Sequence, residues 1–286
     1  MPTEKFNFAN IFRQNLTKSA IALTKKFTSR IEKDMLSEHA LLVKATNLPI
    51  DGFAKNLNSL AIVVGTAQGM DNIHEAFFLG ERLKRKKKKL RVVYITSAKI
   101  GVSLNVINRL KVPGVNAKVL GRMLSQYGVA KDDIIIESQS RNADEQGFEL
   151  LWLAKKHKFK NMALVMDTWH GPRFYMSLVK HNSETNFFSH YVDRDVDNIN
   201  SAAYDYPQSI FQTPLLIAEV ARIHTYAERG TGGVGVEELI NYITQKQKLG
   251  LLPKSISSSE TKKLLNLWHK NHTFVVKNFD KLASYR

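Results

Sequence analysis

Ile134-Ile135-Ile136-Glu137-Ser138-Gln139-Ser140-Arg141-Asn142 decides the fold, because Met162-Ala163-Leu164-Val165-Met166-Asp167-Thr168-Trp169-His170-Gly171-Pro172-Arg173 repeats its pattern. Each is a short apolar run that stops at an acid, crosses polar residues and opens into a stretch with helical periodicity. Continuous apolar runs of this length suit strands buried on both faces. Outward from this pair, Leu60–Val64, Leu90–Thr96 and Phe187–Val192 are three further strands. Helices are expected at 71–88, 116–127 and 142–157, and from Pro172 onward, since a helix tolerates proline in its first turn. Gly128 is expected to cap the second of these. Residues 98–114 carry no assignment beyond a break at Pro113-Gly114. Strands alternating with helices imply right-handed crossovers. The expected fold is therefore α/β: a Rossmann-like, doubly wound, mainly parallel sheet of about five strands.

This α/β domain is expected over residues 57–229. A helical N-terminal extension precedes it at 1–56. A helical C-terminal extension of two or three helices follows at 230–286, after the glycine-rich hinge Gly230-Thr231-Gly232-Gly233-Val234-Gly235. No internal repeat is found.

A chain of 286 residues with 43% hydrophobic content can bury a substantial core. It has no cysteine, which excludes disulfides, thiolate nucleophiles and cysteine–zinc sites. No run approaches the roughly 20 apolar residues of a membrane helix, and none has the form of a secretory signal. The expectation is a cytoplasmic protein, with peripheral membrane contact as the variant. The first 31 residues hold one acid, Glu4, against Lys5, Arg13, Lys18, Lys25, Lys26 and Arg30. They suit a basic amphipathic helix, either packed on the main domain or serving as a targeting segment.

The net charge of +16 is concentrated. Residues 82–131 contain 14 Lys or Arg and no acid, while the rest of the chain holds 28 basic and 26 acidic residues. The centre is Lys84-Arg85-Lys86-Lys87-Lys88-Lys89, followed by Arg91. Such a run is either a solvated helix end or a surface for anionic membrane or nucleic acid. Aromatic residues do not interleave with it, so the run itself indicates no stacking platform for single strands.

Ligands of open α/β sheets bind at the carboxyl ends of the strands. Glu137 stands at such an end, where a carboxylate is either paired or functional. Ser140 and Asn142 are candidates to start the next helix and hold an anion on its free N–H groups, with Glu145 in a capping-box-like place. At the other strand end, Thr168 contributes by location. His170 is a candidate general acid or base, and Arg173 a candidate fork for phosphate or carboxylate. Arg173 paired with Glu137 or Asp167 is the purely structural alternative. Gly65, opening the loop after the first strand, and Ser97, after the second, are further ligand candidates. His74, His224, His269 and His272 lack metal-ligand spacing and read as structural or exposed. No Gly-x-Ser-x-Gly elbow is present, which argues against an α/β-hydrolase triad.

These two motifs resemble those of the YdcF/SanA/ElyC-like family. That family shows Glu-x-x-Ser-x-Asn-Thr-x-Glu-Asn after one strand and Thr-x-x-His-x-x-Arg after another. Here the first is carried by Glu137, Ser140, Asn142 and Glu145, with Ala143 and Gln146 departing from it. The second is carried by Thr168, His170-Gly171-Pro172 and Arg173, with one residue fewer between the threonine and the histidine. The resemblance spans about residues 60–193, and the family's Ser-Gly-Gly turn is replaced by Thr96-Ser97-Ala98. It implies a Rossmann-like fold, links to cell-envelope or lipid-carrier metabolism, and S-adenosylmethionine or a divalent metal as cofactor. Three functional readings stand open. One is an enzyme of phosphoester hydrolysis or transfer, with Glu137 and His170 catalytic and a nucleotide or other small anionic ligand held by Arg173 and the Asn142 helix start. Another is a non-catalytic nucleotide or S-adenosylmethionine binder. The third is an interaction protein acting through Lys84–Lys89.

Overall fold

The computed structural model describes residues 30–64, 70–97, 117–140, 143–181, 184–192 and 208–283. The expected strands form as β1 (Ser59–Val64), β2 (Arg91–Ser97), β3 (Ile134–Glu137), β4 (Asn161–Asp167) and β5 (Asn186–Val192). All are parallel, in the order β3-β2-β1-β4-β5. β1 is buried from Leu60 to Val64 and β4 from Met162 to Asp167, which is why both read as unbroken apolar runs. The chain winds outward from β1 through β2 to β3, then returns to β4 on the other side. The switch point therefore lies between β1 and β4.

Helix α1 (Arg30–Thr46) precedes the sheet. The crossover helices are α2 (Met70–Lys86), α3 (Ala117–Gln126), α4 (Ala143–His157) and α5 (Gly171–His181). Helix α3 ends where Gly128 adopts a φ of 89° and its N–H bonds to the Ser125 carbonyl at 3.0 Å, the cap its position promised. After β5 come α6 (Gln208–Glu228), α7 (Val236–Lys248), α8 (Ser258–Lys277) and the short α9 (Phe279–Ala283). Ser257 caps α8 in a reciprocal box with Glu260.

One helix was not legible. Nothing in the sequence reading assigns 208–228 to a helix. Among its described side chains Ile217, Ala218, Val220, Ala221 and Ile223 are all buried alongside Glu219, Arg222 and His224. A helix covered on most sides has no apolar stripe to display a 3.6-residue period.

The helical ends share the core of the sheet. A single cluster of buried residues joins Leu42, Ala45 and Leu48 at the N-terminal end with the strands and with Leu239, Tyr242, Leu264 and Trp268 near the C-terminal end. The segment after α1 also closes part of the β5 edge. The Ser189 N–H donates to the Leu48 carbonyl at 3.1 Å, and the Leu48 N–H donates to Ser189 Oγ at 2.9 Å. Among the terminal helices, the buried Glu38 of α1 accepts from His224 Nε2 and Asn271 Nδ2, both at 2.8 Å. His224 Nδ1 meets His272 Nδ1 at 3.0 Å, and His272 Nε2 reaches Glu228 at 3.0 Å.

Packing of α2 on the sheet depends on Gly80. A Cβ at that position would sit 2.0 Å from the hydroxyl of Tyr94 on β2, and that buried hydroxyl has no hydrogen-bond partner among the described residues. Gly80→Ala is expected to cost about 1–3 kcal/mol through overpacking. Tyr94→Phe removes an unsatisfied buried hydroxyl and is expected to stabilise by about 1 kcal/mol. Chemical denaturation of the two variants and of their combination checks both, and the combination should lose less than Gly80→Ala alone.

Candidate functional site

The two motifs emerge at the same carboxyl edge, but at different places along it. Three strand intervals separate β3 from β4. At roughly 4.8 Å each, that puts their ends about 14 Å apart. Glu137 and His170 therefore belong to two separate clusters.

The first cluster forms where β2 and β3 end in register, with Ser97 beside Glu137. Ser97 Oγ donates to Glu137 at 2.6 Å. Ser140 Oγ donates at 2.6 Å, and the N–H groups of Gln139 and Ser140 donate at 2.6 and 2.9 Å. Gln146 of α4 donates in turn to Ser97 Oγ at 2.7 Å. Burial pulls the Glu137 carboxyl upward, but the bonds from the Ser140 and Ser97 hydroxyls and the two amides outweigh it and hold the group below its ordinary range. Glu137 is thus a buried anion receiving four hydrogen bonds, and it fixes the turn between β3 and α4. Ser97 and Ser140 are spent on it.

Beyond Ser140 lies a shallow cleft of about 490 Å³ lined by Gln139, Ser140, Asp144, Glu145, Phe148, Glu149 and His181. Three of these residues are acids. Lys180 and His181 pair with Asp144 at 3.2 and 2.9 Å, and these bonds overcome the upward pull of burial to keep its carboxyl below the usual range. Glu145 is exposed on the wall. Such a lining opposes an anion. Asn142 and Gly65, the remaining anion-binding candidates on this side and on the first loop, lie outside the described residues, as does Arg141.

The second cluster surrounds the end of β4, beside the switch point. Asp167 finishes the strand, and Thr168, Trp169 and His170 form the turn that leads into α5. The His170 ring stands between Trp169, at 5.3 Å and 61°, and Phe174, at 6.1 Å and 21°. Burial first, and the Arg173 guanidinium second, push its pKa down from 6.5 to about 3 against the opposing pull of Glu219. His170 is therefore a neutral imidazole at physiological pH. Arg173 pairs with neither Glu137 nor Asp167: its Nε donates to Glu219 Oε2 of α6 at 2.6 Å. Arg222 NH1 donates to the other oxygen of Glu219 at 2.5 Å. Burial raises the Glu219 carboxyl, and the two guanidiniums more than reverse it. On the far side, His39 Nε2 of α1 donates to the Trp169 carbonyl at 3.1 Å, and burial holds the His39 pKa down.

Two groups here are uncommitted among the described residues. The buried Trp169 Nε1 has no hydrogen-bond partner. The terminal nitrogens of Arg173 make no hydrogen bond, although the guanidinium also lies 5.9 Å from the Tyr226 ring. Gly171, between these residues, is required by packing, since a Cβ there would come within 2.2 Å of the Tyr191 ring. Glu219, Arg222 and His39 escaped the sequence reading because they come from helices far along the chain. No local signal marked them beyond charges in otherwise apolar stretches.

A divalent metal does not fit these residues, because no group of three or more His, Asp or Glu among them is placed to hold one. An adenosine ribose is commonly held by an acid at the end of the second strand. β2 instead ends in Thr96, which donates to the Ala117 carbonyl at 2.8 Å, and Ser97, committed to Glu137. No helix among the described residues is long and apolar enough to cross a membrane. No family model matches the chain, and no curated protein matches it either.

Glu219→Ala is expected to cost about 3–5 kcal/mol in urea unfolding, since it leaves two guanidiniums without their counter-ion. The sign of the acid response can be read from two of the depressed groups, His170 and Glu137. As pH falls from 6.5 toward about 3, the unfolded chain binds a proton at His170 that the folded chain refuses, so stability falls through that window. Glu137 adds a loss in the same direction as pH drops through its lowered folded value. His170→Gln should flatten the upper part of the slope, as read by denaturation at a series of pH values.

Proposed function

We propose that the end of β4 binds a small anionic ligand, a phosphorylated metabolite or the phosphate of a nucleotide. The observation that carries this reading is the pair of uncommitted donors, the Trp169 indole N–H and the Arg173 terminal nitrogens, beside the switch point of a parallel sheet. The trio of Arg173, Arg222 and Glu219 holds one positive charge in excess, which favours an anion. The first N–H groups of α5 are the third contributor. His170 supplies a neutral imidazole that can hydrogen-bond a ligand oxygen.

Of the readings open from the sequence, binding without turnover is better supported than phosphoester hydrolysis or transfer by a Glu137–His170 pair. The strand ends that carry the two groups stand about 14 Å apart by strand spacing. Glu137 already accepts four hydrogen bonds, and an imidazole with a pKa near 3 is a weak base. The motif resemblance to the YdcF/SanA/ElyC-like family is compatible with either role.

Thermal shift against nucleoside phosphates, sugar phosphates and inorganic phosphate tests the site. A ligand at about 100 times its Kd should add roughly 2.7 kcal/mol of stability. Trp169→Phe keeps an aromatic side chain but removes the indole N–H, and should weaken binding about 5- to 10-fold. An arriving anion favours the imidazolium, so the His170 pKa should rise from about 3 on binding, followed by NMR titration. The reading fails if no phosphorylated compound shifts the melting temperature, or if Trp169→Phe binds as tightly as the wild type.

A further inference from the structure

The long basic run leaves the sequence as a featureless charge, but on α2 it continues an aromatic stripe. His74, Phe78, Arg82 and Arg85 follow one another at intervals of four, four and three residues, and so share a helix face. Phe78 is 53% exposed, the one large apolar side chain that α2 turns to solvent among its described side chains. His74 stacks on it at 6.5 Å and 18°. Phe77 meets Phe78 at 5.7 Å, and Tyr127 meets Phe77 at 5.2 Å while its hydroxyl lies 2.9 Å from His74 Nε2. Directly beside this aromatic group, Phe78, Arg82, Arg85 and Lys86 line a cleft of about 460 Å³.

Two cations of the cleft wall, Arg82 and Lys86, are held in place. Asp51 accepts from Arg82 Nε at 2.9 Å and NH2 at 3.1 Å, and from Lys86 at 2.9 Å, one carboxylate against two positive charges. Lys87 is tied to the Lys55 carbonyl and to Asn58. Arg85, Lys88 and Lys89 have no ion-pair partner among the described residues, and all three are exposed. Since α2 runs antiparallel to the strands, this surface lies at the amino edge of the sheet, opposite the β4 site. It is independent of the ligand proposed there.

We propose that the α2 stripe binds a single-stranded nucleic acid, with a base stacked on Phe78 and the backbone phosphates on Arg85, Lys86, Lys88 and Lys89. An exposed ring flanked by the anchored guanidinium of Arg82 and the unpaired one of Arg85 offers what an unpaired base and its phosphates need, a π-face and counter-charges side by side. A duplex presents no free base face to that ring. A helix lying in the interface of an anionic membrane would call for an apolar face, yet Ile73, Ala76, Leu79 and Leu83 are all buried against the sheet.

Fluorescence anisotropy with a labelled oligothymidylate of about 12 nucleotides tests the proposal on the full chain. Binding should weaken steeply with salt. Phe78→Ala should lose about 5- to 100-fold in affinity and Phe78→Tyr should retain it. The triple variant Arg85→Gln, Lys88→Gln, Lys89→Gln should reduce the salt slope. Circular dichroism melting should show each variant folded, since all these side chains are exposed. Phe78→Ala binding as tightly as the wild type would overturn the proposal. So would a duplex of equal length binding as tightly as the single strand, or phosphatidylserine vesicles being captured through Phe78 while the oligonucleotide is not.

Discussion

The Glu219 carboxylate lies between Arg173 of α5 and Arg222 of its own helix, and the arrangement of the helical layer over the sheet edge depends on it. A carboxylate this buried must be compensated by charge or by hydrogen bonds. Two guanidiniums supply both. Satisfying Glu219 brings α6 against the start of α5, and His39 brings α1 to the same place through the Trp169 carbonyl. The polar edge of the sheet and the terminal helices are thus joined by charge as well as by the apolar core that they share.

Two stretches with the same pattern reach different ends. After β3, the polar residues turn inward on one another. Ser97, Ser140 and two amides saturate Glu137, so the carboxylate holds a turn. After β4, the counter-charges come from other helices, and they leave the Trp169 N–H and part of Arg173 uncommitted. The difference lies in the strand order. Among the described residues β3 is an edge strand whose one strand neighbour, β2, offers a serine in register, whereas β4 sits at the switch point, where the two halves of the sheet diverge.

Much of the α/β framework was legible because its signals are local. Five apolar runs gave five strands, since a strand buried on both faces has little room for polar residues. Gly128 gave a helix end because a left-handed φ favours glycine. The helix at 208–228 was illegible for the opposite reason: its charged residues, Glu219 and Arg222, are buried with its apolar ones, so no polar face marks a period. The aromatic side of α2 was missed because Phe78 precedes the lysine run in sequence. The helical repeat nonetheless places it one turn from Arg82.

The sequence by itself therefore determined which segments are strands, that the sheet is parallel and which residues stand at its carboxyl edge. Periodicity, apolar run length and turn chemistry are properties of neighbouring residues, and a chain displays them before it folds. Only the tertiary structure decided which of those edge residues are spent and which are left to meet a ligand. Glu137 is consumed by partners 2 to 40 residues away, and Arg173 is held by a glutamate 46 residues on. Ion pairs and hydrogen bonds in a low-dielectric interior are settled by proximity in space. Strand order and helix docking set that proximity, and no local pattern encodes it.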